Sequence, residues 1–331
     1  MFRIARFLKG FRRQVIIGPI FKLIEAVFEL IVPLVMARII DIGVKSGDTG
    51  YILRMGGLMV LLAAAGLACA LVCQYNAAQA SQGFGTVVRS KLYQHINTLS
   101  YAELDKIGTP SLITRITNDV NQLQQAVAML IRLVIRAPFL VIGAAVMALL
   151  IDAKLSVVFL IAIPVLIIIL YFIMHHSVPL YKAVQSHLDR ISLVTRENLT
   201  GARVIRAFSK QQEEQERFRE STAALQKSSI RVGKLSALLN PLTTVVLNAA
   251  IIAIIWFGGF QTNIGALTQG EVIALVNYMT QILLALIVVA NLIVIFTKAA
   301  ASARRVNEVF DLPSSVLEPV SPRVDIPARC V

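Results

Sequence analysis

Charged residues are scarce in this sequence. They make up 15% of the 331 residues, whereas an ordinary soluble domain is about 25% charged. Hydrophobic residues make up 56%, and several apolar windows are longer than the roughly 18 residues that cross a bilayer. This composition excludes a soluble domain and predicts an integral membrane protein. Helices are the expected structure, because only helices and closed barrels satisfy their backbone polar groups in lipid.

Cysteine is also rare. Cys69 and Cys73 lie four residues apart in an apolar run, and Cys330 lies near the end of the sequence. Three cysteines with these spacings do not form a disulfide framework. No histidine or carboxylate beside the pair completes a metal-ligand set, so we interpret Cys69 and Cys73 as small core residues.

A signal-peptide cleavage pattern is missing as well. The basic residues 1–14 are followed by an apolar run to about Val44 that no A-x-A pattern ends. On a helix, the apolar residues share one face: Ile4, Phe7, Leu8 and Phe11. The basic residues share the other: Arg3, Arg6, Lys9, Arg12 and Arg13. This pattern predicts an interfacial helix over 1–14 that lies on an anionic membrane surface. A frayed basic tail is the alternative.

Six apolar segments predict six spans, centred near 16–44, 51–73, 126–150, 155–175, 232–257 and 272–296. Two connections, about 74–125 and 174–231, are polar but keep helical spacing, and neither has the composition of a flexible linker. A helix from Leu155 to Leu199 would be about 65 Å long, against a hydrocarbon core of about 30 Å. We therefore predict an all-α membrane fold with six long transmembrane helices and two helical extensions into water.

The distribution of basic residues predicts the orientation. The net charge is +13, but the short loops hold only Lys45 and Lys154, with Arg54 just beyond. The N-terminal arm and the long connection after the fourth span hold many more. By the positive-inside rule, both termini and both extensions are cytoplasmic. This asymmetry accounts for much of the charge, and without a nucleic-acid motif we expect no nucleic-acid partner.

Each extension is expected to reverse at a short helix. The first reverses at "YAELDK", after which Gly108 and Pro110 interrupt the helix. The second reverses at "TGARVIRAF", where Val204, Ile205 and Phe208 share an apolar face. Beyond it, an i, i+4 pair of Glu213 and Arg217 is expected to stabilise the returning helix. An apolar face this far from the bilayer needs a partner protein or a second copy of the chain. Plain solvated helix ends are the alternative.

These segments resemble the transmembrane domain of ATP-binding cassette (ABC) exporters of the bacterial multidrug and lipid type, known as the exporter type 1 or type IV fold. "GTPSLITRITNDV" is similar to the first cytoplasmic loop of the family, and "ENLTGARVIRAFSKQQEEQERF" is similar to the second. "ASARRVNEVFDLP" resembles the end of the sixth helix. "KLIEAVFELIVPLVMARIIDIG" resembles the first span of half-transporters that often pair as heterodimers. The resemblance covers roughly residues 10 to 315.

The resemblance implies two coupling helices, Tyr101–Lys106 and Gly201–Phe208, that dock onto nucleotide-binding domains. The residues expected to couple the domains are Tyr101, Glu103, Leu104, Asp105, Gly201, Val204, Ile205 and Phe208. ATP-driven closure of those domains would alternate a membrane cavity between its two orientations. The implied partners are the nucleotide-binding domains and a second transmembrane half, more often a different chain than a copy.

A phosphate loop of the form G-x-x-x-x-G-K-[ST] does not occur in these 331 residues. Gly83 and Gly85 form a lone pair without phosphate-binding context. ATP and Mg are therefore expected on a nucleotide-binding domain, with no cofactor, metal or catalytic residue in this stretch. The resemblance divides the chain into an interfacial helix (1–14), a transmembrane domain (15–311) and a linker (312–331). Either the chain is truncated, as we expect, or the ATPase is a separate polypeptide.

Polar residues within the spans are candidates for the substrate pathway: Glu29, Arg136, Asn248, Asn277, Gln281 and Asn291. Other interpretations stay open. Lys22 and Glu25 can pair near the inner headgroups, Arg132 can extend its charge to the interface, and the amides can form interhelical hydrogen bonds. Arg136 is deep enough to face an anionic substrate or lipid headgroup.

We thus expect the permease part of an ATP-driven exporter in a bacterial inner membrane. The resemblance implies amphiphilic substrates, namely drugs, lipids or peptides. An ion-gradient-driven secondary transporter is one alternative: Glu29 is compatible with it, but the two long extensions would have no role. A non-transporting membrane scaffold subunit is the other.

Overall fold

The computed structural model describes residues 6–313. Cys330, the first residues of the predicted interfacial helix and most of the predicted linker lie outside the described residues. A 3₁₀ helix, Arg6–Phe11, leads directly into the first α-helix. The α-helices, in chain order, are α1 Arg12–Arg38, α2 Thr49–Ile96, α3 Tyr101–Ile107, α4 Thr109–Thr114, α5 Val120–Met129, α6 Arg136–Ile151, α7 Ser156–Thr200, α8 Ala202–Ala207, α9 Gln211–Ala237, α10 Leu239–Asn263 and α11 Gln269–Phe310.

Wider π-helical turns interrupt this pattern at three places: Ile39–Val44, Arg115–Asp119 and Leu130–Val134. Residues 6–313 contain no strand, which confirms the predicted all-helical fold. The first π turn prolongs α1, and the other two join α4, α5 and α6 into one nearly continuous rod.

Five helical stretches are long and apolar enough to cross a membrane: Thr49–Ile96, Thr109–Ile151, Ser156–Thr200, Gln211–Asn263 and Gln269–Phe310. Helix α1 is not among them, because Lys22, Glu25 and Glu29 fall within every 18-residue window of it. The count of six spans therefore stays a prediction.

Two helices are much longer than a membrane span. Helix α2 has 48 residues and is about 72 Å long, more than twice the roughly 30 Å of a hydrocarbon core. Helix α7 has 45 residues and shows the same excess. The part of each helix that exceeds the length of a membrane span coincides with one of the two polar connections of the sequence, 74–125 or 174–231.

The chain forms two compact units. Of the described residues, the first contains 6–29, 60–139 and 291–313, and its core is formed by apolar side chains of α2, α5 and α11. Phe84 and Val88 of α2, Val120 of α5 and Val306 of α11 are almost completely buried there. The N-terminal 3₁₀ helix packs on this core through Phe7, Leu8 and Phe11. Its apolar face thus contacts protein, and its location at a membrane surface stays a prediction.

Gly83 and Gly85 serve close packing in this core. A Cβ atom on Gly83 would overlap the ring of Phe11, and one on Gly85 would overlap the side chain of Gln124. Gln124 is held in place, because its amide donates to Gln82 Oε1 at 2.7 Å and it accepts from Arg89 at 2.5 Å. Packing accounts for both glycines without any phosphate ligand.

Replacing Gly85 with Ala is expected to destabilise the protein by about 1–3 kcal/mol, the usual cost of overpacking a core. Gly66→Ala in the same helix is the matched control, because a Cβ atom there would meet no other atom within 4 Å. That substitution gains helix propensity at no steric cost. Thermal unfolding followed by circular dichroism measures both. A Gly85→Ala protein as stable as Gly66→Ala would contradict the packing argument, whereas partial rescue by Gln124→Ala would support it.

The second unit contains residues 30–59 and 140–290. Within it α7 packs along α9 and α10. The hydroxyl of Tyr278 donates to the carbonyl of Leu30 at 2.6 Å in a buried contact. The carboxylate of Asp41 accepts from the N–H of Gly270 at 2.8 Å, in the first turn of α11. These two bonds fasten the end of α1 to the first half of α11.

Candidate functional site

The first extension reverses at α3, as predicted. Glu103 closes the start of this helix by accepting from the N–H of Ser100 at 2.8 Å, a capping box. Gly108 ends it in the left-handed region, with φ 81°, and its N–H donates to the carbonyl of Leu104 at 2.8 Å. Leu104 packs on the core of the first unit. Of the predicted coupling residues here, Glu103 and Leu104 therefore hold the turn together, and Tyr101 and Asp105 are exposed.

The second extension reverses at α8. Helix α7 ends with the N–H of Gly201 donating to the carbonyl of Glu197 at 2.8 Å. After α8 the chain turns at Ser209, which has a positive φ of 53°. Val204 and Phe208 are exposed, Phe208 to 72%, and we call these two residues the apolar tip.

Ile205 points elsewhere. It is half-buried and lines a cavity of about 320 Å³ together with Phe218 and Glu214 of α9. The apolar face of three residues predicted from the sequence is thus divided. Two of its side chains are available to a partner, and the third packs against the protein's own returning helix.

Salt bridges tie the end of α7 to α9. Arg217 pairs with Glu197 at 2.8 Å and with Glu214 at 3.5 Å, and the hydrogen bond to Glu197 raises the pKa of Arg217. Glu213 pairs with Lys210 instead, at 2.6 Å. The predicted pair of Glu213 and Arg217 is therefore wrong, because carboxylates three residues away and on the neighbouring helix lie closer to the guanidinium.

A buried polar network in the first unit was not anticipated from the sequence. Asp119 is 1% exposed and accepts from Ser302 Oγ at 2.9 Å and from Arg305 Nε at 2.8 Å. Nearby, Arg115 donates to the carbonyl of Arg305 at 2.7 Å and pairs with Glu308 at 3.1 Å. The network joins the start of the rod after α3 to the end of α11.

Burial by itself would raise the pKa of Asp119. The hydrogen bonds from Arg305 and Ser302 outweigh it, so the pKa lies below its ordinary value and the carboxylate stays charged at neutral pH. The sequence did contain a signal. Asp119 lies in "RITNDV", and Ser302 and Arg305 lie in "ASARRVNEVF", and both segments carry the family resemblance.

Two predicted pathway residues are brought together within the first unit. Arg136, at the start of α6, pairs with Glu29 of α1 at 2.6 Å. The expected pair of Lys22 and Glu25 is confirmed, with both carboxylate oxygens 2.7 Å from the ammonium. The carboxylate and the guanidinium singled out separately in the sequence thus form one ion pair.

The other four candidates differ in their exposure. Asn248, Asn277 and Asn291 are exposed, and Gln281 is partly buried. The amide of Asn277 donates to the carbonyl of Ile273 in its own helix at 3.0 Å, so this bond does not link helices. The role of these four residues in a pathway stays a prediction.

Comparison with known proteins identifies the family of this fold. The family model described as "ABC transporter transmembrane region" matches residues 15–304. The match spans the first four apolar stretches completely and the fifth as far as residue 304, together with both reversing helices.

Several relatives carry the same region. An uncharacterized ABC transporter ATP-binding protein of Mycobacterium tuberculosis is 34% identical over 316 residues, which cover 96% of this chain and 54% of that protein. A similarly described protein of Bacillus subtilis is 33% identical, covering 92% of this chain and 53% of its own length. A fatty acid ABC transporter ATP-binding/permease protein of Mycobacterium tuberculosis is 26% identical over 232 residues, which cover 70% of this chain and 37% of that protein. The chain spans about half the length of the first two.

Proposed function

This chain belongs to the ABC transporter transmembrane family, and we propose that it is the membrane-spanning permease half of an ATP-driven exporter. The observation that carries the proposal is the apolar tip. Val204 and Phe208 are exposed at the reversal of the second extension. The helical stretches on either side of it, Ser156–Thr200 and Gln211–Asn263, are both much longer than a bilayer is thick, and we call the parts outside the bilayer the stems. An exposed aromatic side chain beside an exposed aliphatic one is typical of a protein-binding surface.

The partner at this tip is a nucleotide-binding domain. Relatives that match nearly all of this chain over half of their own length are described as ATP-binding proteins, so the region matched here is the membrane part of a larger transporter. Tyr101 and Asp105 on α3 form the corresponding surface of the first extension. ATP-driven closure of the domains moves both extensions, and a second transmembrane half completes the cavity.

The orientation follows from the basic residues. Lys and Arg are concentrated in the extensions and the N-terminal arm, and by the positive-inside rule this supports a cytoplasmic location for both termini and both tips in a bacterial inner membrane. Amphiphiles are the substrate class. The relative named as a fatty acid transporter supports an amphiphile with an acidic headgroup among the drugs, lipids and peptides that the sequence suggested.

A secondary transporter is the second candidate, and Glu29 is the residue that favours it. Ion-coupled transport needs a carboxylate that exchanges a proton or cation within the membrane. Glu29 is instead paired with Arg136 at 2.6 Å, and an ion-coupled carrier gives the apolar tip no role. The permease function accounts for both features.

Reconstitution tests the proposal. The chain is placed in liposomes together with a nucleotide-binding domain, supplied as a fused domain or as a separate subunit, and uptake of a fluorescent amphiphile is measured. We expect the domain to bind, and transport to require ATP hydrolysis and to continue when ionophores dissipate the ion gradients. Transport that ionophores abolish and that needs no ATP would show a secondary transporter. Domain binding without any transport would show a scaffold.

A further inference from the structure

The intramembrane charged cluster consists of five side chains in the first unit: Lys22, Glu25, Glu29, Arg132 and Arg136. Glu29 lies 16 residues after Arg13 along α1, a distance of about 24 Å, which is within the roughly 30 Å of a hydrocarbon core that begins near Arg13. A Cβ atom on Gly18 of α1 would lie within 4 Å of Ile131 in the rod and of the carbonyl oxygen of Cys73 on α2. The cluster therefore occupies the space among α1, α2 and the rod that contains α6.

The cluster has more positive charge than its own carboxylates neutralise. It holds three cations and two carboxylates, and Glu25 is already bonded to Lys22 through both oxygens. The Nε atoms of Arg132 and Arg136 are buried without a hydrogen-bond partner. Among residues 6–313 no side-chain hydrogen bond or ion pair is formed by Arg132. An unpaired guanidinium donor in a membrane interior is costly, so these groups are poised for an anion.

The charged side of α1 lies opposite an exposed apolar stripe of the same helix. Ile20, Ile24 and Val27 of α1 are exposed, and at 100° per residue they form one stripe. The three charged residues of the cluster on α1 lie on the opposite side of that helix. Even so, Glu29 retains 38% of its side-chain exposure and Arg136 retains 21%. The ion pair is therefore partly exposed on the side of α1 opposite its apolar stripe, as expected of residues beside a substrate pathway.

The backbone is irregular at this place. A π turn, Leu130–Val134, contains Arg132, and α6 restarts at Arg136 with Pro138 in its first turn. Single π turns within helices occur frequently at functional sites. Here the turn contains Arg132 and ends two residues before Arg136, and α1 packs closely on it, because a Cβ atom on Gly18 would lie 2.5 Å from Ile131 Cγ2.

We infer that Arg132 and Arg136 bind the anionic headgroup, phosphate or carboxylate, of an amphiphile within the membrane, with Glu29 as the internal counter-ion that the headgroup displaces. The planar guanidinium suits both headgroups, since it can donate two parallel hydrogen bonds to either. The tail lies among the apolar side chains of the spans. This inference rests on the proposed permease function and specifies its substrate class.

Binding of radiolabelled hexadecyl phosphate to the full chain in phosphatidylcholine nanodiscs tests the inference, without ATP or a nucleotide-binding domain. Arg136→Gln is expected to weaken binding about tenfold or more, the lower end of the coupling between close charge pairs. Glu29→Gln is expected to strengthen it about threefold, because the competing carboxylate is gone. Arg132→Gln, which breaks no ion pair, should weaken binding without affecting the fold. Arg54→Gln changes the net charge equally, outside the cluster, and should have no effect.

Competition identifies the ligand class. Unlabelled hexadecyl phosphate should displace the label, whereas hexadecanol and inorganic phosphate at the same concentration should not. Displacement by inorganic phosphate alone would show a site for free anions and overturn the assignment to an amphiphile. Equal displacement by hexadecanol or by hexadecyltrimethylammonium would overturn the anionic headgroup.

A structural ion pair predicts a different pattern. If the pair only holds α1 to α6, Glu29→Gln and Arg136→Gln should reduce binding together, and that outcome would refute the inference. The double variant Glu29→Gln/Arg136→Gln removes the pair without leaving a lone charge, so weak binding by that variant in a folded protein would support the role of Arg136. Failure of all binding here leaves ATP-dependent transport to be decided by reconstitution, so the two proposals fail separately.

Discussion

Replacing Phe208 with Asp is expected to reduce ATP-dependent transport at least tenfold and to weaken binding of the nucleotide-binding domain. Phe208 is 72% exposed, so the fold does not depend on it. Aromatic residues at the centre of an interface commonly contribute about 2 kcal/mol or more to binding, and a buried carboxylate without a partner adds a further penalty. Co-purification of the domain and transport in liposomes measure the effect.

Tyr93→Asp is the matched control for Phe208→Asp. Tyr93 is a similarly exposed aromatic residue near the end of α2, in the other extension and eight residues before Tyr101. Phe208→Leu should keep most of the activity, because it preserves an apolar contact. Full domain binding and transport by Phe208→Asp would exclude the apolar tip as the docking surface. A loss of equal size in Tyr93→Asp would show a general effect of added charge.

Asp119→Ala is expected to destabilise the protein by about 3 kcal/mol, the lower end of the cost of breaking a buried charge pair. The lower end applies because Arg305 is 47% exposed and can be hydrated once its partner is lost. Ser302 is buried and would lose its acceptor. The temperature of half-unfolding in detergent measures the loss, with Asp105→Ala, an exposed carboxylate of the same extension, as the control. Equal stability of the two variants would contradict the network.

Because of the Asp119 network, the free energy of unfolding is expected to fall as the pH is lowered. The folded pKa of Asp119 lies below its ordinary value of 3.8, so the unfolded chain binds a proton more readily than the folded one. The contribution to stability is complete above about pH 5 and is lost as the pH falls through the folded value. The difference between wild type and Asp119→Asn should be constant from pH 6 to pH 8 and should shrink below about pH 4. If the stability difference between wild type and Asp119→Asn persisted at acid pH, side-chain packing and not the charge of Asp119 would stabilise the network.

Local patterns predicted the reversing helices well and distant pairs poorly. Gly108, Pro110 and Gly201 interrupt helical spacing within a few residues, so α3 and α8 could be placed from the sequence. The division of the apolar face at Ile205 could not, because it depends on the left-handed turn at Ser209 and on where α9 returns. The same return brings Glu197 to Arg217, which made the nearer pairing with Glu213 wrong.

For pairs of residues that are far apart in the chain, the sequence identified at most the individual residues and not the pairing. Glu29 and Arg136 were each recognised because a charge in a span is costly, but 107 positions separate them and no local rule joins them. Asp119 was overlooked because a lone carboxylate in a polar stretch appears solvated. Its burial results from Arg305, 186 residues later. Packing at this range follows from how helices stack, and a single sequence does not encode that in any short window.

The length of the stems has a consequence of its own. Helix α7 has 45 residues, of which about 20 cross the hydrocarbon core, and α9 carries the chain back from the tip. Each residue adds about 1.5 Å of length and 100° of rotation to a helix, so the number of residues in the stems sets the position of the tip. They fix both the height of Phe208 above the membrane and the direction in which it points. Exposed stem positions can change their chemistry freely, but inserting or deleting a single residue in one stem would turn the tip away from its partner. Along these helices, the number of residues is constrained more tightly than their identity.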